Sequence, residues 1–317
     1  MRVGVDVAPL VLDNAGTARY VRGLLEGLAR RDDLQVKRLT WGGTGRATAA
    51  ARDVAWYPFV LPLQARRLDV LHCTTFRAPL RSGVPVVVTV HDLAVVRHPE
   101  LFTTWTRTYA RTLLLPVLRA ATRVLAVSEF TKREVAELAG VNPERIGVAY
   151  NAASSEVFRP DGPIAEGEYV LAVGTLEPRK NLERLVQATR SLGLELRVAG
   201  SRGWGEVEVS APHVRWLGRP GDAELAALMR GALCLAYPSL YEGFGIPVAE
   251  ALACGCPVVT SRGSPMEELA GDDAVYVDPY DVDSIRDGVA RAFRAAPRRG
   301  ASWPEVARAT RAVYEEL

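Results

Sequence analysis

Pro238-Ser-Leu-Tyr-Glu-Gly-Phe-Gly-Ile-Pro-Val-Ala-Glu250-Ala-Leu-Ala-Cys-Gly-Cys-Pro-Val-Val-Thr260 is the stretch from which the fold of this chain can be inferred. It predicts the end of a strand, a glycine-flanked loop, a helix from Ile246 to Cys254 and a second strand. Pro247 suits the first turn of the helix, where a missing N–H leaves no hydrogen bond unmade. Gly255 suits the left-handed residue that closes the helix.

The loop Glu242-Gly-Phe-Gly245 lies at the N-terminus of this predicted helix. Free backbone N–H groups and the positive end of the helix dipole favour an anionic ligand there. Two carboxylates, Glu242 and Glu250, lie eight positions apart at the same place. Because carboxylates repel a phosphate, we expect their partners to be hydroxyl groups. Amides for an anion and carboxylates for hydroxyls together suggest a sugar nucleotide, and a buried helix with two incidental glutamates is the alternative.

This pattern resembles the Glu-(x)7-Glu signature of retaining glycosyltransferases with the GT-B fold, in particular family 4 of that class. The flanking Tyr-Pro-Ser-Leu-Tyr-Glu-Gly-Phe-Gly and Cys-Gly-Cys-Pro-Val-Val strengthen the resemblance. It extends over nearly the whole chain and is strongest at residues 174–182 and 237–260. The resemblance implies two Rossmann-like α/β domains that face each other across a cleft, with a nucleotide-sugar donor held mostly by the second.

Short apolar runs alternate with helical patterns along both halves of the chain, which predicts doubly wound parallel sheets. The predicted strands are Val3–Val7, Leu34–Leu39, Val70–Cys73, Val84–Val90, Arg123–Val127, Ile146–Ala149, Tyr169–Gly174, Leu194–Ala199, His213–Leu217, Leu233–Tyr237, Pro257–Thr260 and Ala274–Val277. The periodicity breaks over residues 151–167, which predicts a linker. We therefore predict a first domain over residues 1–160, completed by a helix over about 301–317, and a second over 161–300.

Composition narrows the class of protein. The 317 residues are 48% hydrophobic and 24% charged, which is typical of a globular protein with room for two domains. Four scattered cysteines fit buried thiols better than a disulfide framework. The N-terminus does not resemble a leader, and no apolar run approaches the roughly 20 residues of a membrane span. We therefore expect a cytoplasmic protein.

The net charge of +2 conceals an asymmetry between the two halves. Residues 1–160 contain 22 Lys+Arg and 14 Asp+Glu, whereas the remaining residues contain 17 and 23. A basic first half suits an anionic partner such as a membrane surface or a phosphorylated lipid. The helical run Thr103–Thr122, with Trp105 and its arginines, is a candidate for docking at a membrane. Arginines on the solvated face of a plain cover helix are the alternative, and no nucleic-acid partner is expected.

Candidate site residues in the first half follow its strands. Gly16, Thr17 and Arg19 come after the first strand and match a Gly-x-x-Arg-Tyr-like turn of the resembled family, where they contact the donor. A single glycine at this turn counts against the three-glycine fingerprint of a nicotinamide or flavin enzyme. His91 and Asp92 follow a strand at the edge where open α/β sheets bind ligands, and they match the family's His-Asp-Leu. A structural histidine is the alternative.

The second half opens with a strand that ends at Gly174-Thr175, followed by Arg179 and Lys180 ahead of a helix. Cations are unfavourable at a helix N-terminus unless they face an anion, so we interpret both as clamps on a diphosphate. Two solvated surface charges are the alternative. The family commonly carries another arginine where this chain has Thr175.

The resemblance also implies roles for the remaining site residues. Glu250 is assigned to ribose hydroxyls and Glu242 to hexose hydroxyls, while the backbone of Gly243, Phe244 and Gly245 approaches the sugar and phosphate. Gly218 borders the nucleotide base. The implied catalytic residues are His91, Asp92, Arg179, Lys180 and Glu242.

The implied reaction needs no metal and no cofactor, because cations and amides stabilise the leaving diphosphate. The Asp281-Val-Asp283 motif precedes a helical pattern, so we predict that Asp283 caps a helix. GDP-mannose is the first expectation for the donor, with UDP-glucose, UDP-N-acetylglucosamine and a deoxysugar nucleotide left open. The acceptor, a glycan or a lipid-linked sugar, is not identified. A sugar-nucleotide epimerase, a phosphorylase and a non-catalytic sugar-nucleotide-binding protein are the alternative functions.

Overall fold

The computed structural model describes residues 1–12, 15–45, 48, 51–102, 104–203, 207, 209–292 and 310–315. Within these residues, twelve strands form two six-stranded sheets. The strands are β1 Arg2–Asp6, β2 Gln35–Leu39, β3 Val70–Cys73, β4 Val86–Val90, β5 Arg123–Ala126, β6 Ile146–Val148, β7 Tyr169–Val173, β8 Glu195–Ala199, β9 Val214–Trp216, β10 Cys234–Tyr237, β11 Val258–Ser261 and β12 Ala274–Val277. Each predicted strand is present, with bounds that shift by no more than two residues.

Helices connect the strands. They are α1 Ala8–Leu12, α2 Ala15–Ala29, α3 Arg52–Val60 (with π-helical hydrogen bonding, continuing as Leu61–Ala65), α4 Ala94–Arg97, α5 Thr104–Tyr109 (continuing as Ala110–Leu114 and Leu115–Ala120), α6 Glu129–Ala139, α7 Leu182–Leu192, α8 Asp222–Gly231, α9 Ile246–Ala253, α10 Met266–Ala270, α11 Val282–Ala292 and α12 at 310–315. Short 3-10 turns occur at Pro99–Leu101, Pro143–Arg145, Pro178–Lys180 and Gly271–Asp273.

The first sheet has the order β2-β1-β3-β4-β5-β6, and all its strand pairs are parallel. Strands such as β3 and β4 are buried along their whole length, because helices cover both faces of a parallel sheet. The direction of chain progression reverses between β1 and β3. Open α/β sheets bind ligands at such a reversal, beyond the carboxyl ends of the strands.

The second sheet has the order β12-β11-β10-β7-β8-β9, also with parallel pairing throughout. Apolar side chains of α8, α9 and α10 pack on one face and those of α7 and α11 on the other. Here the reversal lies between β7 and β10. The two doubly wound parallel sheets confirm the predicted α/β architecture.

By internal contacts the chain divides into two compact units, Met1–Asn151 with Trp303–Leu317 and Ala152–Ser302. The segment predicted as a linker packs on the second unit. Phe158 is buried in that unit's core, the Ala165 N–H donates to the Ala227 carbonyl at 3.0 Å, and Arg230 Nε donates to the Pro163 carbonyl at 2.7 Å. A break in periodicity marks a connection but does not say which core it joins.

Helix α12 packs on the first unit. The Tyr314 hydroxyl oxygen lies 2.5 Å from His72 Nδ1. Arg311 pairs with Asp33 at 2.8 Å, and Val313 lies against Gly147. Residues 301–309, 316 and 317 of the predicted C-terminal helix lie outside the described residues.

The predicted cap at Asp283 is wrong by two positions. Helix α11 begins at Val282, and the Asp281 carboxylate accepts the Asp283 N–H at 2.9 Å. Asp281 therefore caps helix α11, and Asp283 lies in its first turn.

Candidate active site

The loops after β7 and β10 meet at the reversal point of the second sheet. The Leu240 N–H donates to the Arg179 carbonyl at 2.8 Å, and Asn181 Nδ2 donates to the Pro238 carbonyl at 2.9 Å. Arg179 and Lys180 belong to the 3-10 turn Pro178–Lys180, just ahead of α7. The sequence order of the two loops did not reveal this contact, since β7 and β10 become neighbours only through the sheet order.

Asn181 holds this junction together and was missed by the sequence interpretation. Among the described residues it is the one non-glycine residue with positive φ, at 58°. Asparagine tolerates this left-handed conformation better than most residues. Its Nδ2 also donates to the Pro279 carbonyl at 2.6 Å, and its Oδ1 accepts from Arg184 at 2.9 Å. Asn181 thus joins the loops after β7, β10 and β12.

The side chains at the junction form an ion cluster, which we define as Glu177, Arg179, Lys180, Tyr237 and Glu242. Arg179 Nη1 donates to Glu242 Oε2 at 3.0 Å, and its Nε pairs with Glu177 at 2.6 Å. Lys180 Nζ lies 2.5 Å from Glu242 Oε1 and 2.6 Å from the Tyr237 hydroxyl. Tyr237 in turn donates to Glu242 Oε1 at 2.9 Å. The structure therefore brings together three of the predicted site residues, Arg179, Lys180 and Glu242.

The ion cluster is buried and its formal charges cancel, with two cations and two carboxylates. Burial by itself raises the pKa of Glu242, but the opposing effects of Lys180 and Arg179 bring it down to about 2. Glu242 is therefore ionised at neutral pH and can accept hydrogen bonds but not donate a proton. The anion that Arg179 and Lys180 face in this structure is the Glu242 carboxylate, with Glu177 beside Arg179.

Glycines end the neighbouring strands β7, β8 and β9 at the same edge. Gly174 has φ +144°, and a Cβ there would lie 3.2 Å from Lys180 Cε, so the missing side chain makes room for the lysine. A Cβ on Gly200 would overlap the Gly174 carbonyl. The Gly200 N–H donates to the carbonyl of Gly218, which has φ +67°, at 2.6 Å. Thr175, in the loop after β7, lies beside Gly203, in the loop after β8.

Helix α9 starts as the sequence predicts, with Pro247 in its first turn and Gly255 left-handed after its end. Gly245 precedes the helix with φ +96°, and a Cβ there would lie 2.8 Å from Met266 Cγ. Phe244, which follows Gly243 in the loop, is buried, and so is Glu250 in the helix. The loop that carries Glu242 and the helix that carries Glu250 are thus both fixed by packing.

In the first unit, Gly16, Thr17 and Arg19 do not form a turn, which corrects the sequence interpretation. All three lie in α2, which begins at Ala15. Gly16 is exposed, and a Cβ there would meet no atom from other parts of the described fold within 4 Å. A glycine is therefore not required at this position by close packing of the chain itself. Tyr20, which follows Arg19, is buried, and its hydroxyl oxygen lies 3.0 Å from Thr89 Oγ1.

His91 and Asp92 stand at the end of β4, where the sequence places them. Because a carbonyl only accepts, His91 Nε2 donates to the Thr74 carbonyl at 2.9 Å, which leaves Nδ1 as the acceptor nitrogen. Burial lowers the pKa of His91, against smaller opposing effects of Thr74 and Asp92, so the ring is neutral at pH 7. Asp92 accepts the Ala94 N–H at 3.1 Å and thereby starts α4.

Further polar residues gather at the reversal point of the first sheet and were missed. Asp6 ends β1, and its carboxylate accepts from the Ala8 N–H at 3.0 Å and from Tyr57 at 3.1 Å. Burial raises the pKa of Asp6 to about 6. Arg77 donates to Asp53 at 2.9 Å and lies 5.6 Å from the Tyr109 ring. An acidic residue closing an apolar first strand was the signal available in the sequence.

Two features are absent from the described residues. No group of three or more His, Cys, Asp or Glu side chains is arranged there to hold a metal ion. In the same part of the chain, no helix combines the length and the hydropathy needed to cross a bilayer.

Comparison with known proteins identifies relatives along the whole chain. The sequence matches the family described as Glycosyltransferase Family 4 over residues 15–156 and the family described as Glycosyl transferases group 1 over residues 154–302. It is 30% identical to the O-antigen chain mannosyltransferase B of Escherichia coli, over 96% of this chain and 82% of that protein. It is 28% identical to the MMP alpha-(1->4)-mannosyltransferase of Mycolicibacterium hassiacum, over 74% of this chain and 66% of that protein.

Solved structures with the same fold include two at low sequence identity. Sucrose-phosphate synthase from Thermosynechococcus elongatus superposes with a TM-score of 0.74 at 17% identity, covering 100% of this chain and 94% of that one. Anabaena Alr3699/HepE in complex with UDP-glucose superposes with a TM-score of 0.68 at 16% identity, covering 100% of both chains.

Proposed function

The chain belongs to the family 4 glycosyltransferases, and we propose that it moves a hexose from a nucleotide-diphosphate sugar to an acceptor, with retention at the anomeric carbon and without a metal ion. It is a hexosyltransferase with the α/β GT-B fold. The observation that carries the proposal is the ion cluster at the reversal point of the second sheet, where open α/β sheets bind nucleotides.

The proposed donor contacts start from the cations. Arg179 and Lys180 are assigned to the diphosphate, because a guanidinium and an ammonium group are the side chains that best match phosphate oxygens. Their pairing with Glu242 supports this assignment, since it fixes both cations at one edge of the sheet before a donor arrives. Gly174 and Thr175, in the loop after β7, are also assigned to the donor. Gly218 is assigned to the border of the nucleotide base.

Glu242 is assigned to hexose hydroxyls. A carboxylate whose pKa is near 2 is a permanent hydrogen-bond acceptor at neutral pH, which suits hydroxyl groups and excludes the role of a proton donor. Glu250 is assigned to the ribose hydroxyls, and the backbone of Gly243, Phe244 and Gly245 to the sugar and phosphate at the N-terminus of α9.

The proposed chemistry is cleavage of the anomeric C–O bond. Positive charge develops on the hexose while negative charge develops on the departing diphosphate. Arg179, half-buried, and Lys180, buried, are held in place by carboxylates and would stabilise that negative charge. Preorganised groups of this kind are worth on the order of 10²- to 10³-fold in rate, which is why a metal ion is not required by the proposal.

In the first unit, His91 and Asp92 are proposed contacts of the hexose or the acceptor. The His91 ring is neutral and offers Nδ1 as an acceptor, so it can bind a hydroxyl group of either sugar. Gly16, Thr17 and Arg19 remain proposed donor contacts. They lie at the start of helix α2 and not in a loop between strand and helix.

For the donor we propose GDP-mannose, because two of the relatives described above are mannosyltransferases. UDP-glucose is the competing donor, since the HepE structure contains it. For the acceptor we propose a glycan or a lipid-linked sugar, reached at the cytoplasmic face of a membrane through the basic first half of the chain. The buried, free thiols of the four cysteines are compatible with the reducing cytoplasm.

The test is a thermal-shift panel of GDP, UDP, GDP-mannose and UDP-glucose, followed by product analysis with the stabilising donor. Stabilisation rises with the bound fraction, so a guanine nucleotide should raise the melting temperature most. No shift with any of the four would overturn the proposal. Epimerised donor, phosphate-dependent release of sugar, or binding without any transfer would instead assign the chain to one of the alternative functions.

A further inference from the structure

Helix α3 exposes large apolar side chains on the surface of the first unit. The exposed fraction is 70% for Val54, 66% for Phe59 and 53% for Leu63, and Val60 lies beside them. These four residues, together with the exposed Pro58, are defined as the α3 apolar face. An ordinary surface helix turns polar side chains outward, so an apolar outer face indicates an interaction site.

Helix α3 is held in place by packing and hydrogen bonds on its inner side. On the opposite side, Trp56, Tyr57 and Leu61 are buried, and Tyr57 donates to the Asp6 carboxylate. Arg52 anchors the start of the helix through hydrogen bonds to the Trp41 carbonyl at 3.1 Å and the Gly43 carbonyl at 2.8 Å. The apolar face is thus presented by a helix that the core of the unit fixes.

The first charged residues that follow the α3 apolar face in sequence are basic. Residues 54–68 contain no acidic residue, and the exposed Arg66 and Arg67 follow the helix directly. Asp53, in the first turn of α3, pairs with Arg77 at 2.9 Å, and Asp69, beyond the end of the helix, pairs with Arg2 at 3.0 Å. An apolar strip that ends in two exposed arginines complements an anionic bilayer, whose phosphates lie just outside its acyl chains.

The helix that the sequence suggested for this purpose has a different role. In α5 the apolar residues Ala110, Leu114, Val117 and Leu118 are buried, while Arg111 and Arg119 face solvent or bond to the chain. Trp105 lies outside the described side chains. Helix α5 is therefore a cover helix over its described length, and α3 carries the exposed apolar surface instead.

We propose that the α3 apolar face docks this protein on an anionic membrane. Phe59 and Leu63 enter the boundary between headgroups and acyl chains, and Arg66 and Arg67 bind lipid phosphates. A second copy of the chain is a weaker fit, because the face offers a few hundred Å² where a stable dimer buries about 800 Å² per partner. The inference rests on the proposed membrane contact but not on the transfer chemistry, so vesicle binding and donor binding are measured separately.

The test is sedimentation with sucrose-loaded vesicles of equimolar phosphatidylglycerol and phosphatidylcholine, compared with phosphatidylcholine alone. We expect the wild-type chain to bind the anionic vesicles, and the double variant Phe59→Ser, Leu63→Ser to bind at least roughly tenfold more weakly. Ile164→Ser, which removes a side chain that is 65% exposed in the second unit, is the matched control and should bind like the wild type. Both positions of the double variant are exposed, and thermal unfolding checks that the fold is kept.

The electrostatic part is tested by Arg66→Gln with Arg67→Gln. At about 1 kcal/mol per basic residue near an anionic surface, the pair should lower anionic-vesicle binding roughly 30-fold, and salt at about 1 M should remove the difference. Wild-type binding that does not depend on anionic lipid, or equal binding by the Phe59→Ser, Leu63→Ser variant, would overturn the proposal. Self-association abolished by that variant, without vesicle binding, would also overturn it and assign the face to a second copy. Normal donor shifts in all variants separate these outcomes from a failure of the proposed function.

Discussion

The sharpest prediction concerns the charge of Glu242. Glu242→Gln keeps the size and one oxygen of the side chain but removes its charge. The ion cluster then keeps one carboxylate, Glu177, which pairs with Arg179. Lowering the pKa from 4.5 to about 2 corresponds to about 3 kcal/mol of stability at neutral pH. The loss of one partner from a buried pair gives a similar figure of 3–5 kcal/mol. We therefore expect the variant to be less stable by about 3 kcal/mol at pH 7.

The sign of the pH dependence follows from the direction of the shift. The folded pKa of Glu242 is depressed, so its contribution is complete above pH 4.5 and is lost as the pH falls through about 2. The difference between wild type and variant should thus be constant from pH 7 to about 5 and should close below pH 4.5. In calorimetry at pH 7, about 3 kcal/mol corresponds to a fall in the melting temperature of about 6 to 12 °C for a unit of this size.

Two further variants make this test specific. Glu168→Gln removes the charge of an exposed glutamate in the same unit and should leave the melting temperature within about 1–2 °C. Lys180→Met combined with Glu242→Gln removes one cation with one carboxylate, so the double variant should be more stable than the sum of the single losses by about 1–3 kcal/mol. Equal stability of wild type and Glu242→Gln at pH 7, or a difference that persists unchanged to pH 3, would refute the reasoning.

Three other predictions follow from the same structure. Arg179→Ala should lower turnover on the order of 10²-fold at saturating donor, measured by product formation, and unchanged turnover would remove Arg179 from the proposed diphosphate contact. Asn181→Ala should cost about 2–4 kcal/mol in urea unfolding, because alanine tolerates φ of 58° poorly and loses hydrogen bonds to Pro238 and Pro279; a loss below about 1 kcal/mol would contradict this account. Asp6→Asn should stabilise the protein by up to about 3 kcal/mol at pH 8 and not at all below pH 3.8, because the raised folded pKa of about 6 makes the ionised carboxylate costly; a stabilisation that is the same at both pH values would count against it.

The fold was largely predictable because its signals are local. Strands such as Val86–Val90 are continuous β-branched runs that are buried on both faces, and this pattern does not depend on their neighbours. Pro247 and Gly255 mark the start and end of α9 through their own backbone preferences. The cap of α11 was placed at Asp283 instead of Asp281, since two aspartates two positions apart are equivalent in sequence and only the helix start distinguishes them.

The site was predictable only in part, because its contacts depend on the order of strands in the sheet. Arg179, Lys180 and Glu242 were found by their sequence setting, but their direct pairing requires β7 to lie beside β10. Tyr237 and Glu177 joined the ion cluster for the same reason. Helix α3 was missed because its outer face is as apolar as its inner face, so no helical period of polar residues marks it.

The contact of Tyr314 with His72 has a consequence for how the protein is made. The two residues are 242 positions apart in sequence, and both are buried in the first unit. The second unit is a continuous segment and can complete its core while the chain is still being synthesised. The first unit begins to emerge from the ribosome earlier but stays open at His72 until helix α12 is released. Synthesis therefore runs from first unit to second, whereas completion of the native structure runs in the opposite order.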